Sequence, residues 1–109
     1  MPVEWSENTC VAHLRDDPVF SDEMDQLHDK LEEHPCHCVL DMANVSFLNS
    51  SNLAQLVGLR KLLNETNCRV IIAAVEDPLW QTFELSRLDR LFPRAESVAL
   101  ALAMVQLDE

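Results

Sequence analysis

Glycine is almost missing from this chain: Gly58 stands alone among 109 residues. Loops that cradle a phosphate with backbone amides need glycine at several fixed positions. Neither GxGxxG nor GxxxxGK[ST] can be written with one glycine, so nucleotide binding by those routes is excluded. Basic residues are scarce as well. Eight Lys and Arg stand against 19 Asp and Glu, for a formal net charge of −11. A field of that sign repels phosphate backbones and anionic headgroups, so no nucleic acid is expected as a ligand. A protein partner with a basic face is. Long apolar runs are lacking too: Val70–Val75 and Val98–Val105 are the longest. Both fall far short of the roughly 20 residues of a membrane helix, and no membrane insertion is expected. Met1–Asn8 is polar and acidic and does not read as a secretory leader. The expectation is a cytoplasmic protein in which Cys10, Cys36, Cys38 and Cys68 are reduced thiols.

Apolar residues make up 48% of the chain and charged residues 25%, enough for residues 1–109 to form one domain with its own core. No repeat or linker interrupts it. Thr9–Leu14 alternates apolar and polar residues and reads as a strand, with a short earlier strand near Trp5. Ser21, followed by Asp22 and Glu23, reads as the cap of a helix carrying Met24, Leu27 and Leu31, which ends near His34-Pro35. Cys36–Met42 is the next strand and Leu53–Leu63 the next helix, with Leu53, Leu56, Val57 and Leu63 on one face. Val70–Val75 is a β-branched run of the kind buried on both faces of a sheet. Asp77 reads as the cap, with Pro78 at the first position, of a helix bearing Leu79, Trp80, Phe83, Leu85 and Leu88 and running to about Leu91. A short strand near Phe92–Glu96 and a last helix over Val98–Leu107 complete the order. Strands alternating with helices predict an α/β domain, with an N-terminal strand pairing antiparallel at one edge.

The stretch Val39–Leu63, VLDMANVSFLNSSNLAQLVGLRKLL, is the most informative. A buried strand runs through a short loop into Asn49-Ser50-Ser51-Asn52 and then a helix. Two hydroxyls therefore sit at a helix N-terminus, where unpartnered amides and a positive dipole end accommodate an anion. A phosphoserine there would add about −1.5 to −2 charge without melting the helix. By local chemistry alone the same residues are plain N-caps.

This stretch resembles the STAS family, in which an Asp-Ser-Ser-Gly-Leu type motif opens the second helix. Asn49-Ser50-Ser51-Asn52-Leu53 stands in its place, and Gly58 and Lys61 fall where the family has a small and a basic residue. Phe83–Pro93 (FELSRLDRLFP) resembles the family's later leucine- and aspartate-containing region, and the final helix follows as it does there. The likeness spans roughly Val39–Ala103. It implies a single STAS-like domain: a four- to five-stranded mixed sheet with about four helices packed against it. It also implies the function of an anti-sigma factor antagonist. Such a protein binds an anti-sigma factor that is also a serine kinase and is released when the first serine of the motif is phosphorylated. Carried over, Ser50 is the acceptor, Ser51 a second acceptor or cap, and Asn49, Ser50, Ser51, Asn52, Leu53, Ala54 and Leu62 the partner-binding residues. Three positions depart from the pattern. Asn49 replaces an acidic residue, Asn52 a glycine, and Arg87 a common glycine. Asparagine tolerates a left-handed backbone, so the turn at Asn52 is expected to survive. The alternative within the fold is a non-phosphorylated STAS adaptor in a stressosome-like or lipid-transport complex.

Cys36-His37-Cys38 carries donors suited to zinc. No second pair completes four ligands, and Cys36 and Cys38 would share one buried face of a strand while His37 points away. No metal and no cofactor are expected. No GxSxG elbow exists to serve a hydrolase, and Ser50 has no base recognisable in sequence among His13, His28, His34 and His37. Asp41 ends a strand and is read as shaping the rim of the Ser50 loop. The chain reads as a binding module and not as an enzyme. Val98–Val105 is apolar nearly all round, which means burial against the sheet, with a homodimer surface as the sharper alternative.

Overall fold

Strands form where the chain is β-branched or alternating, and helices where apolar residues return every three or four positions. In a computed structural model describing residues 3–107, these are β1 (Val3–Trp5), β2 (Thr9–Arg15), α1 (Val19–Glu33), β3 (His37–Asn44), α2 (Ser50–Asn64), β4 (Val70–Ala73), α3 (Asp77–Leu85), β5 (Arg94–Ala95) and α4 (Val98–Leu107), with one 3₁₀ turn at Leu88–Arg90. The sheet runs β1-β2-β3-β4-β5. β1 is antiparallel to β2, and the other pairs are parallel. The expected mixed sheet, edge hairpin and four helices are all present.

Successive parallel strands lie side by side in one direction, so right-handed crossovers carry α1, α2 and α3 to the same face. Phe20, Met24, Leu27 and Leu31 of α1, Leu56, Leu59 and Leu63 of α2, and Leu79 and Phe83 of α3 meet Ala12, Leu14, Leu40, Met42 and Ile72 there. The chain crosses to the other face once. Ala101 and Val105 of α4 close over Val11, Val39, Ile71 and Ala73, so one stripe of the last helix is buried against the sheet, while Ala99, Leu100, Ala103 and Leu107 are exposed. β4 sits between these two cores, and all four of its residues are buried.

Local expectations on three helices are corrected. The N-cap position of α1 is Pro18, not Ser21, and it makes no side-chain cap bond. Asp17 does that work from one residue further out: its Oδ1 accepts from the Ser21 amide at 2.8 Å and the Ser21 hydroxyl at 2.7 Å. On α2 the buried positions are Asn52, Leu56, Leu59 and Leu63, while Val57 is exposed. The N-cap of α3 is Glu76, not Asp77, and the helix stops at Leu85, which is 87% exposed, so Leu88 lies in the separate 3₁₀ turn.

Candidate partner-binding site

The C-terminal ends of β2 and β3 each feed a loop, and the two loops meet. From β2 come Asp16 and Asp17. From β3 come residues 45–49 and then α2. Val45 is buried and turns the chain, its amide donating to the Met42 carbonyl at 3.0 Å. Asp16 then takes the loop in hand. Its carboxylate accepts from the Ser46 amide (2.8 Å), the Ser46 hydroxyl (2.7 Å) and the Phe47 amide (3.4 Å). Asp17 Oδ2 accepts from the side-chain amides of Asn49 (2.9 Å) and Asn52 (3.1 Å). Donors aimed at a carboxylate favour its charged form. The Ser46 hydroxyl holds Asp16 below the ordinary carboxylate range, helped by the Ser46 amide. The Ser21 hydroxyl does the same for Asp17.

α2 begins with a reciprocal cap. The Asn49 side chain accepts from the Asn52 amide at 2.8 Å, and the Asn52 side chain accepts from the Asn49 amide at 3.1 Å. Asn52 therefore does not occupy a left-handed turn, as the comparison with a glycine suggested. It lies inside the first helical turn, 1% exposed, as the far half of a capping box. Arg87 is the position that does adopt the left-handed region, at φ 61°, which explains why a glycine suits it.

Ser50 and Ser51 follow the cap and are exposed. Among the described residues neither hydroxyl has a hydrogen-bond partner. From Ser50 an exposed stripe runs along α2 through Ala54, Val57 and Lys61, at helical spacing. Phe47, 51% exposed, adds an aromatic ring from the preceding loop. Of the residues expected to meet a partner, Asn49, Ser50, Ser51 and Ala54 are at the surface, and Asn52 is buried beneath them. Leu53 and Leu62 are half-buried and packed on the core. Sequence periodicity placed Val57 on the inward face, because α2 carries apolar residues on most of its circumference, and it offers no signal for Phe47 in the loop before the helix.

The remaining candidates do not converge. Cys36 and Cys38 are buried in the main core with Cys10. The Cys36 contact lowers the Cys10 pKa, but the Cys38 contact and burial outweigh it and hold the thiol well above its ordinary range. The Cys10 contact and burial raise Cys36. These are neutral core thiols, the inert kind. His37 turns elsewhere, its Nδ1 accepting from the Arg69 amide at 3.0 Å. Among the described residues, the atoms close enough to share a metal are those of His28, Asp29 and Glu32 on the outer side of α1. None of the histidines hydrogen-bonds to Ser50. Asp41 does not reach the Ser50 loop by hydrogen bond. It bonds to His13 and to the Ala43 amide.

An exposed and unbonded serine thus follows the cap of α2, beside a modest apolar stripe. The STAS domain model matches residues 20–101. The chain belongs to the STAS domain family. It is 25% identical over 83 residues to an anti-sigma F factor antagonist of Paenibacillus polymyxa, covering 75% of this chain and 71% of that protein. Among solved structures it resembles an anti-sigma-factor antagonist (STAS) domain protein of Planctomyces limnophilus, with TM-score 0.83, 16% identity, and 95% and 96% of the two chains covered. It also resembles the Bacillus cell fate determinant SpoIIAA in its phosphorylated form, with TM-score 0.75, 17% identity, and 94% and 96% covered. These structures share the STAS fold with this chain. Among the described residues no helix is long and apolar enough to cross a membrane.

Proposed function

We propose that this STAS domain is an anti-sigma factor antagonist: a cytoplasmic binding protein, without catalysis of its own, that docks on an anti-sigma factor with serine kinase activity. Ser50, Ser51, Phe47 and the Ala54–Val57 stripe form the contact, and phosphorylation of Ser50 ends it. The observation that carries this reading is the Ser50 hydroxyl, exposed and unbonded at the first position of α2. Its surroundings are already fixed by Asp16 and Asp17, so a kinase meets a presented hydroxyl and not a mobile loop. A relative is named as an anti-sigma factor antagonist, and one protein of the same fold has been solved phosphorylated.

The mechanism is electrostatic and steric. A phosphate on Ser50 stands at the positive end of α2, so the helix tolerates it. The surface that faced the partner then carries a dianion beside Asp16 and Asp17, in a protein already at −11. Complementarity with the partner is lost while the fold persists. Incubation with the partner kinase and ATP should add one phosphate by intact mass, and Ser50→Ala should add none. Ser50→Asp should bind the kinase at least tenfold more weakly than Ser50→Ala, since a carboxylate desolvated in the contact without a matched donor costs more than about 1.4 kcal/mol. Equal affinity of the two variants, with no phosphate added to the native chain, would reject the switch in favour of a constitutive adaptor.

A further inference from the structure

On the α4 side of the sheet, His13 of β2 lies between two carboxylates from its two neighbouring strands. Its Nδ1 is 2.6 Å from Asp41 Oδ2 on β3, and its Nε2 is 2.5 Å from Glu4 Oε2 on β1. A carboxylate can only accept, and a neutral imidazole has a single N–H. Both contacts are hydrogen bonds only when the ring is the doubly protonated cation. We propose that Glu4, His13 and Asp41 form a proton-dependent clasp that fastens the edge strand β1 to the sheet and opens as the pH rises.

Among the described residues the groups that act on His13 are few. Glu4 is the charge presented by β1 and Asp41 that presented by β3. Arg15, further along β2, is turned to Glu23 of α1 at 3.0 Å. α4 carries no charged residue along Val98–Leu107. The bond to Glu4, then the bond to Asp41, raise the His13 pKa above its ordinary value. A raised value in the folded state means that the stabilisation is fully present below the unfolded value and is lost as pH climbs through the folded one.

The two bonds are not equal when the proton leaves. The Asp41 side chain is 15% exposed and that of Glu4 75%. An acceptor stranded out of water costs more than one that water can reach. The remaining N–H therefore stays with Asp41, and the Nε2 lone pair faces the Glu4 carboxylate. β1 is three residues long and among the described residues pairs only with β2; besides that short ladder and Val3 packed on the main core, the clasp is what fastens it. Its release bares the edge of β2, an unpaired row of backbone groups.

The test follows the His13 ring by NMR, assigned against His13→Gln, together with amide protection factors in β1 and in β3–β4. His13 should titrate above the free value of about 6.5. Protection in β1 should fall about tenfold across that titration, the worth of one charge-assisted bond, while β3–β4 stays constant. Glu4→Gln, at a largely exposed site where folding is not at stake, should lower the His13 midpoint and remove the pH-dependent fall. Protection in β1 that ignores the His13 titration would overturn the clasp. So would an unmoved His13 midpoint in Glu4→Gln.

Discussion

Asn52 has one carbonyl oxygen and one amide group to satisfy in a place closed to water. Its oxygen accepts from the Asn49 amide, and its nitrogen reaches Asp17 Oδ2 at 3.1 Å and the Ser21 hydroxyl at 3.3 Å. The residue thus ties the start of α2 to the start of α1, and Gln55 doubles the tie by donating to the Ser21 carbonyl and to Asp25. A glycine in this position could offer none of these bonds. Asn52→Ala removes half of the capping box and leaves the Asn49 amide and part of the Asp17 carboxylate unmatched. We expect a loss of about 1 kcal/mol in urea unfolding, the worth of a lost helix cap. The serines should remain exposed, so the variant separates the scaffold of the site from its chemistry. The cap was legible in the sequence, but its ties to Asp17 and Ser21 were not. Asp17 and Asn49 are 32 residues apart, and the same asparagines read locally as caps or left-handed turns. The structure selects the cap.

α2 was easy to locate and hard to orient. Leu53, Leu56, Val57, Leu59, Leu62 and Leu63 surround most of its axis, so periodicity offers more than one inward face. Packing on α1 and the sheet chose Leu56, Leu59 and Leu63, and left Ala54, Val57, Gly58 and Lys61 on the outward side or at its margin. Gly58 has no local reason to be a glycine: it keeps helical backbone, and a Cβ built on it meets nothing within 4 Å. Gly58→Ala should therefore stabilise the domain by about 0.5–1 kcal/mol, through lower chain entropy in the unfolded state. If the outward side of α2 is where the kinase docks, the added methyl should at the same time weaken that complex. Thermal unfolding and a titration with the kinase on the same sample check both effects. A gain in stability with unchanged affinity would place the contact away from Gly58, nearer Phe47 and Ser50.

At the scale of the molecule, strand–helix order was fully readable. Each α/β crossover announces itself by a β-branched run followed by a helical period, and right-handedness fixes the rest. What the order could not show is how charge is distributed over the fold. Asp22, Asp25, Asp29, Glu32 and Glu33 line the exposed side of α1, and α1 packs beside α2. The Ser50 stripe is consequently bordered by acidic side chains, and its own cation is Lys61. Exposed charges of one sign steer a partner more than they hold it, because water and salt screen them at contact. The association rate with the kinase should accordingly fall by about tenfold or more between roughly 50 and 500 mM NaCl, while the dissociation rate changes by less than about threefold. Stopped-flow binding at several salt concentrations separates the two. Neutralising Asp25 and Asp29 together should flatten the salt dependence without altering Ser50 phosphorylation at saturating kinase, because neither residue touches the serine. A salt-independent association rate would mean that the acidic border faces away from the partner, and that the apolar stripe alone directs the encounter.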